Sequence, residues 1–91
     1  MQEEIMSYDY AHERKYIFTE DGIKQMLSIR DRASDLLEDS GAAMLWSLML
    51  GETGGSFEIL ACIDYLVETG FLCEIKYECR AQDRIFIRGE K

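Results

Sequence analysis

Apolar positions recur along this chain with two different periods. Between residues 19 and 39, Ile23, Met26, Leu27, Arg30, Ala33 and Leu37 fall on an i, i+3, i+4, i+7 stripe, and Ile29 and Leu36 widen one edge of it. That period predicts an amphipathic helix. Thr19 stands where an N-cap belongs, and Glu20 and Asp21 occupy the first turn, where the helix dipole favours acids. The helix is expected to stop near Asp39, with Ser40 capping the next element. Residues 42–50, AAMLWSLML, are apolar nearly all round, so a short second helix there should be surrounded by protein. Gly51 ends it, ETGG turns the chain, and Ser56 is expected to cap a third helix running to Thr69. Gly70 then offers the left-handed exit that helices commonly use.

After Gly70 the period falls to two. Phe71, Cys73, Ile75 and Tyr77 alternate with Leu72, Glu74, Lys76 and Glu78, and Ile85 and Ile87 alternate with Arg84, Phe86 and Arg88. Two such runs joined by CRAQD predict a β-hairpin. Ahead of the first long helix, KYIFT (15–19) reads as a short strand, and residues 1–15 as a polar N-terminal arm carrying Met and Tyr. The expected plan is a small α+β unit over residues 16–91: a short N-terminal strand, three helices and a closing hairpin.

The third helix, stepped at about 100° per residue, places Ile59, Leu60, Ile63, Leu66 and Val67 on one arc, the expected core face. Phe57, Glu58, Ala61, Cys62, Asp64, Tyr65, Glu68 and Thr69 gather on the opposite arc. The run SFEILACIDYLVETGFL followed by CEIKYECRAQDRIFIR, with its L-x-E-x-G-F-L step and a hairpin bearing D-R, resembles the winged helix-turn-helix superfamily over roughly residues 20–90. The likeness is one of fold. It implies that the third helix is the element laid in the DNA major groove and that the hairpin is the wing. Two features depart from the pattern: the turn before the third helix exceeds the usual three or four residues, and the extra strand is expected before the first helix instead of after it.

Charge changes what that resemblance implies. The chain has 91 residues with 18 acids against 10 bases, a net charge of −8. Residues 1–40 hold ten acids and five bases, residues 41–70 four acids and no base, and residues 71–91 four acids and five bases. Nucleic-acid binders gain most of their affinity by neutralising phosphate, so a basic footprint is expected of them. Base edges are read by Arg, Lys, Asn and Gln, and the outer arc of the third helix has none of these. Glu58, Asp64 and Glu68 would repel phosphate, whereas Phe57 and Tyr65 add apolar area of the kind that marks protein contacts. The sequence therefore favours a non-enzymatic protein–protein interaction domain docking through Phe57, Glu58, Ala61, Asp64, Tyr65 and Glu68. Such a domain would serve as an adaptor, a subunit, or an antagonist of a basic DNA-binding partner. The alternative is a dimeric DNA-binding regulator contacting phosphates through Arg80, Arg84 and Arg88 with Lys24, Arg30 and Arg32; what separates the two is whether those six bases converge on one face.

Arg84 and Arg88 share a side with Phe86, and Glu74, Lys76 and Glu78 point to that side from the partner strand. Opposite charges across strands interact favourably, so these arginines are expected to be answered internally. Surplus apolar surface around Met44, Trp46 and Met49 would suit a homodimer, with the arm as a second contributor.

No constellation for catalysis, cofactor or metal emerges. His12 is the single histidine and lies in the polar arm. Cys62, Cys73 and Cys79 form no CxxC pair and, with His12, no zinc spacing. GETGGS lacks the lysine and the preceding strand of a phosphate loop, and the acids of the first helix lack calcium-loop order. The odd cysteine count and the lack of a signal peptide lead to the expectation of a reducing cytoplasm. No apolar run approaches the ~20 residues of a membrane span.

Overall fold

A computed structural model describes residues 8–75 and 84–89 of the chain. Asp9 opens it: its carboxylate accepts from the Ala11 amide at 3.2 Å and starts one helical turn, α1 (Tyr10–Glu13). This turn passes directly into a 3₁₀ helix, Arg14–Phe18. The strand expected over residues 15–19 is therefore not formed. The Tyr16 carbonyl accepts from both the amide and the hydroxyl of Thr19, at 3.0 and 2.7 Å, and closes a tight turn that buries Ile17. That local bonding satisfies the backbone without a sheet neighbour.

Thr19 then caps α2 (Glu20–Ser40), its Oγ1 accepting from the Gly22 amide at 3.0 Å. Gly41, with φ +81°, ends the helix in the left-handed conformation that glycine adopts without steric cost. The core side of α2 is Gly22, Ile29, Ala33 and Leu37. The expected stripe is thus rotated: Ile23, Leu27 and Arg30 lie on an exposed flank. The rotation follows from Gly22, which lets α2 approach the preceding turn so closely that a Cβ there would sit 1.8 Å from the Tyr16 carbonyl oxygen.

Residues 42–50 are not one helix. Ala43–Met44 form strand β1, and only Leu45–Met49 form helix α3. The strand's two residues pair with Phe86 and Ile85, and the Leu45 amide donates to the Arg84 carbonyl at 2.9 Å. Pairing with an otherwise free sheet edge outweighs the helical preference of an apolar run. Nor is α3 enclosed: Leu45 and Leu48 are buried, but Trp46 and Leu50 are 57% and 64% exposed.

The third long element is α4 (Ser56–Glu68). Gly55, not Ser56, is its N-cap, and Glu58 Oε1 accepts from the Gly55 amide at 3.3 Å. After Thr69, Gly70 turns the chain into β2 (Leu72–Ile75), which pairs antiparallel with β3 (Ile85–Arg88). The sheet order is β1–β3–β2, antiparallel throughout. Leu72 and Phe86 point inward and are fully buried, so the side of β3 carrying Phe86 is the core side. The fold is α+β, mostly helical, with one small antiparallel sheet. Its core joins Ile17, Ile29 and Leu37 to Leu48, Ile59, Ile63, Leu66, Leu72 and Phe86; a fully buried side chain of this kind contributes roughly 1.5–3 kcal/mol. No helix among the described residues is long and apolar enough to cross a membrane.

Candidate functional site

The outer arc of α4 is where the sequence places its docking residues, and the first described residues of the chain lie across it. Phe57, Ala61, Asp64, Tyr65 and Glu68 recur at helical spacing, and each meets a neighbour. The Tyr8 ring stands edge-on to Phe57, centroids 5.6 Å apart, and its hydroxyl donates to Asp64 Oδ2 at 2.7 Å. Tyr10 donates its hydroxyl to Glu68 Oε1. Arg14 grips the same carboxylate with two bonds, Nε to Oε1 at 2.9 Å and Nη2 to Oε2 at 3.2 Å. Its guanidinium also lies over the rings of Phe18 and Tyr65, at 5.1 and 5.8 Å, and those rings meet edge to face at 5.8 Å. Asp9 starts the helical turn that sets Tyr10 and Arg14 one turn apart, which lets both reach one carboxylate.

Two residues assigned to that outer arc are inside. Ala61 and Cys62 are both fully buried. The projection allowed α4 a single packed side, but the helix is held between the 3₁₀ segment and α2, and small side chains permit both approaches. Cys62 Sγ lies 4.0 Å from the Gly22 carbonyl, and burial, followed by the fields of Glu52 and Glu58, pushes its thiol up to about 12. Glu58 is turned back on the helix start and stands apart from the arm contacts.

The electrostatics of this face are those of anions answered by neutral and cationic donors. Burial, then the hydrogen bond to Asp64, raises the Tyr8 phenol above its ordinary range. Burial and Glu68 act alike on Tyr10. The bonds from Arg14 and Tyr10 hold the Glu68 carboxyl below its usual value. The Arg14–Glu68 pair is open to water, with side chains 40% and 43% exposed, so solvent screens it.

A second, tighter cluster lies beneath. Arg84 Nη2 is 2.7 Å from Asp64 Oδ1 and 2.9 Å from Glu74 Oε1, and Arg84 Nε donates to Glu74 Oε2 at 2.9 Å. These side chains are only about one-fifth exposed. Burial opposes the charge on Arg84, yet the two carboxylates outweigh it and hold the guanidinium above its ordinary value. Asp64 thus joins the two clusters, taking Tyr8 on one oxygen and Arg84 on the other.

The remaining bases are spread out. Arg32 donates to Glu52 Oε2 at 3.2 Å and to the Leu48 carbonyl at 3.1 Å. Lys24 borders a recess with Asp21, Glu52 and Glu58. Arg30 lies about 240° around α2 from Lys24, beside Tyr65 and Phe71. Arg88 is exposed at the end of β3, and Arg80 lies outside the described residues. Of the candidate dimer contacts, Trp46 is exposed while Met44 and Met49 are half-buried. Cys62 and Cys73 are free thiols, and His12 is exposed in α1.

Tyr8, Tyr10, Arg14 and Phe18 are the partners that sequence reasoning missed. The signal was present as complementarity: hydroxyls, rings and one arginine in the arm, against carboxylates and rings on α4. Comparison with protein-family models, curated proteins and solved structures finds no match.

Proposed function

We propose that the chain is a non-enzymatic, winged-helix-like protein–protein interaction domain that docks through the outer face of α4, and that its own arm is the resident occupant a partner displaces. One observation carries this reading. The bound arm displays the chemistry that the face accepts: a guanidinium between aromatic rings and on a carboxylate, and phenol hydroxyls on the neighbouring carboxylates. A partner offering arginine and tyrosine at similar spacing would meet the same groups, which fits an adaptor, a subunit or an antagonist of a basic DNA-binding protein. The grip on Glu68 is solvent-exposed and therefore exchangeable.

The element order supports the winged-helix part of the proposal. A long helix, a short strand, two helices and two strands follow one another, and the short strand pairs with the last. The strand expected at residues 15–19 is not formed, and a different segment, Ala43–Met44, supplies a strand after the first long helix, in keeping with the superfamily order. The charge distribution speaks against the alternative, a phosphate-contacting regulator. Arg84 and Arg32 are held by carboxylates, Lys24 stands among three acids, and Arg30 faces another flank.

The test compares two ligands under one condition. Random-sequence duplex DNA and an arginine- and tyrosine-bearing peptide are each titrated at about 50 mM salt, where phosphate binding is strongest. The expected result is peptide binding that Asp64→Asn with Glu68→Gln abolishes, and no binding of duplex. Salt-sensitive duplex binding lost in Arg84→Gln with Arg88→Gln would overturn the proposal in favour of the regulator.

A further inference from the structure

The rotated stripe of α2 has a chemical consequence on the flank away from α3. Met26 and Arg30 of α2 border a groove of about 250 Å³, closed on its other side by Tyr65, Leu66, Thr69 and Phe71. Leu66 is buried, and Met26, Tyr65 and Phe71 are half-buried against the core. Arg30 is the one charged side chain lining the groove. Arg14, Arg32 and Arg84 each hold a carboxylate. Arg30 has no such partner among the described residues, although acids outnumber bases 18 to 10. Among the described residues Lys15, Lys24 and Arg88 likewise form no ion pair, but only Arg30 lines this groove. Its helical neighbours at i±3 and i±4 are Met26, Leu27, Ala33 and Ser34, none of them acidic, so no carboxylate on its own helix can close over it.

We propose that this groove binds a small monocarboxylate with an aromatic or short branched aliphatic body, its carboxylate on Arg30 and its body over Met26, Leu66 and Phe71. Three features select that class. An arginine fork matches a planar carboxylate with two parallel hydrogen bonds. The walls are mostly apolar, with only Tyr65 and Thr69 adding hydroxyls, too few to answer the several hydroxyls of a sugar. The volume is below the roughly 300–1,000 Å³ of drug-sized sites and above the ~150 Å³ cavity that accommodates benzene, so a single ring with a short acid arm fits. The net charge of −8 disfavours anions over most of the surface, so a bound carboxylate depends on the local field of Arg30. The site is separate from the arm contacts but shares Tyr65 with them.

The test uses the full chain and phenylacetate, with phenylacetamide as the uncharged isostere, each titrated at millimolar concentration while backbone resonances are followed. Phenylacetate is expected to give saturable shifts confined to residues 26–30 and 65–71. Phenylacetamide should bind about tenfold more weakly, the loss typical of one charge-assisted contact. Arg30→Gln is exposed and leaves the core untouched, and it should erase the difference between acid and amide, whereas Arg88→Gln should not. Equal binding of acid and amide, or an Arg30→Gln variant that still prefers the acid, would overturn the proposal. So would shifts that spread over Phe18, Ile23 and Leu27 and depend on protein concentration, because those would mean that a second copy covers this flank.

Discussion

Replacing Arg84 with methionine isolates the interaction that most decides between a structural and a phosphate-binding role for the hairpin. The guanidinium holds Asp64 and Glu74 at 2.7 and 2.9 Å, with all three side chains about one-fifth exposed. Its removal leaves two carboxylates close together without the hydrogen bonds Arg84 donates to them, while Asp64 keeps the one from Tyr8. Two like charges about 5 Å apart repel by roughly 3 kcal/mol at an effective dielectric of 20, and partial exposure reduces this. Losing hydrogen bonds to charged groups adds about 1.5–3 kcal/mol before water returns. Breaking a fully buried pair costs about 3–5 kcal/mol, so a range of about 2–4 kcal/mol suits this half-open site. For a domain of this size, that corresponds to a fall in Tm of roughly 8–30 °C. Urea denaturation of Arg84→Met should report the loss, and Arg84→Lys, which keeps the charge but not the fork, should fall between. In an Asp64→Asn, Glu74→Gln background the same change should cost about 1 kcal/mol or less, because no stranded charge remains. A cost under about 0.5 kcal/mol in the native background, or an equal cost in both backgrounds, would refute this reasoning.

Three further outcomes follow from the structure. Gly22→Ala should destabilise the fold by about 1–3 kcal/mol in thermal unfolding despite the helix propensity of alanine, because its methyl would meet the Tyr16 carbonyl; a stabilised variant would contradict the close approach. The arm should loosen at both ends of the pH scale. Glu68 is held below its ordinary value of 4.5, so its contribution is present above that value and disappears as pH falls through the lowered one. Tyr8 and Tyr10 are raised above 10.0, so theirs is complete below 10.0 and lost as pH rises through the raised values. Tyrosine ring resonances unchanged in both windows would contradict the docking. Finally, a thiol reagent should modify exposed Cys73 rapidly and reach Cys62, buried and pushed up to about 12, only on unfolding; equal rates would refute that burial.

The long helices were legible because their signals are local. Thr19 and Gly70 mark ends by backbone chemistry that needs no neighbour, whereas the first long helix runs through Ser40 to Gly41, past the stop expected near Asp39, and Ser40 does not cap the next element. The antiparallel pairing of β2 with β3 was legible through its period of two; the CRAQD connection lies outside the described residues. What failed depended on contacts across space. Ala43–Met44 became a strand because β3 had an open edge, which an apolar run cannot announce. Periodicity fixes the width of a stripe better than its bearing, so Ile23 and Leu27, expected on the core side, are exposed, while Gly22 packs closely against the preceding turn. Ala61 and Cys62 were read as outer because α4 was allowed one packed side. At the candidate site, the acidic, aromatic character of α4 was legible, and so was the internal answer to Arg84. The arm's role was not, since Tyr8 and Asp64 are 56 residues apart in sequence.

The most direct test of the account follows the arm while the face is challenged. An arginine- and tyrosine-bearing peptide is titrated into the full chain while the resonances of Tyr8, Tyr10 and Arg14 are recorded. Displacement predicts that these signals move toward their free positions in step with peptide binding, and that Tyr8→Phe with Arg14→Gln, which loosens the occupant, tightens the peptide. A peptide that binds while the arm signals stay in place, or fails to bind the loosened variant, would contradict the claim that the outer face of α4 is a docking surface held by its own chain.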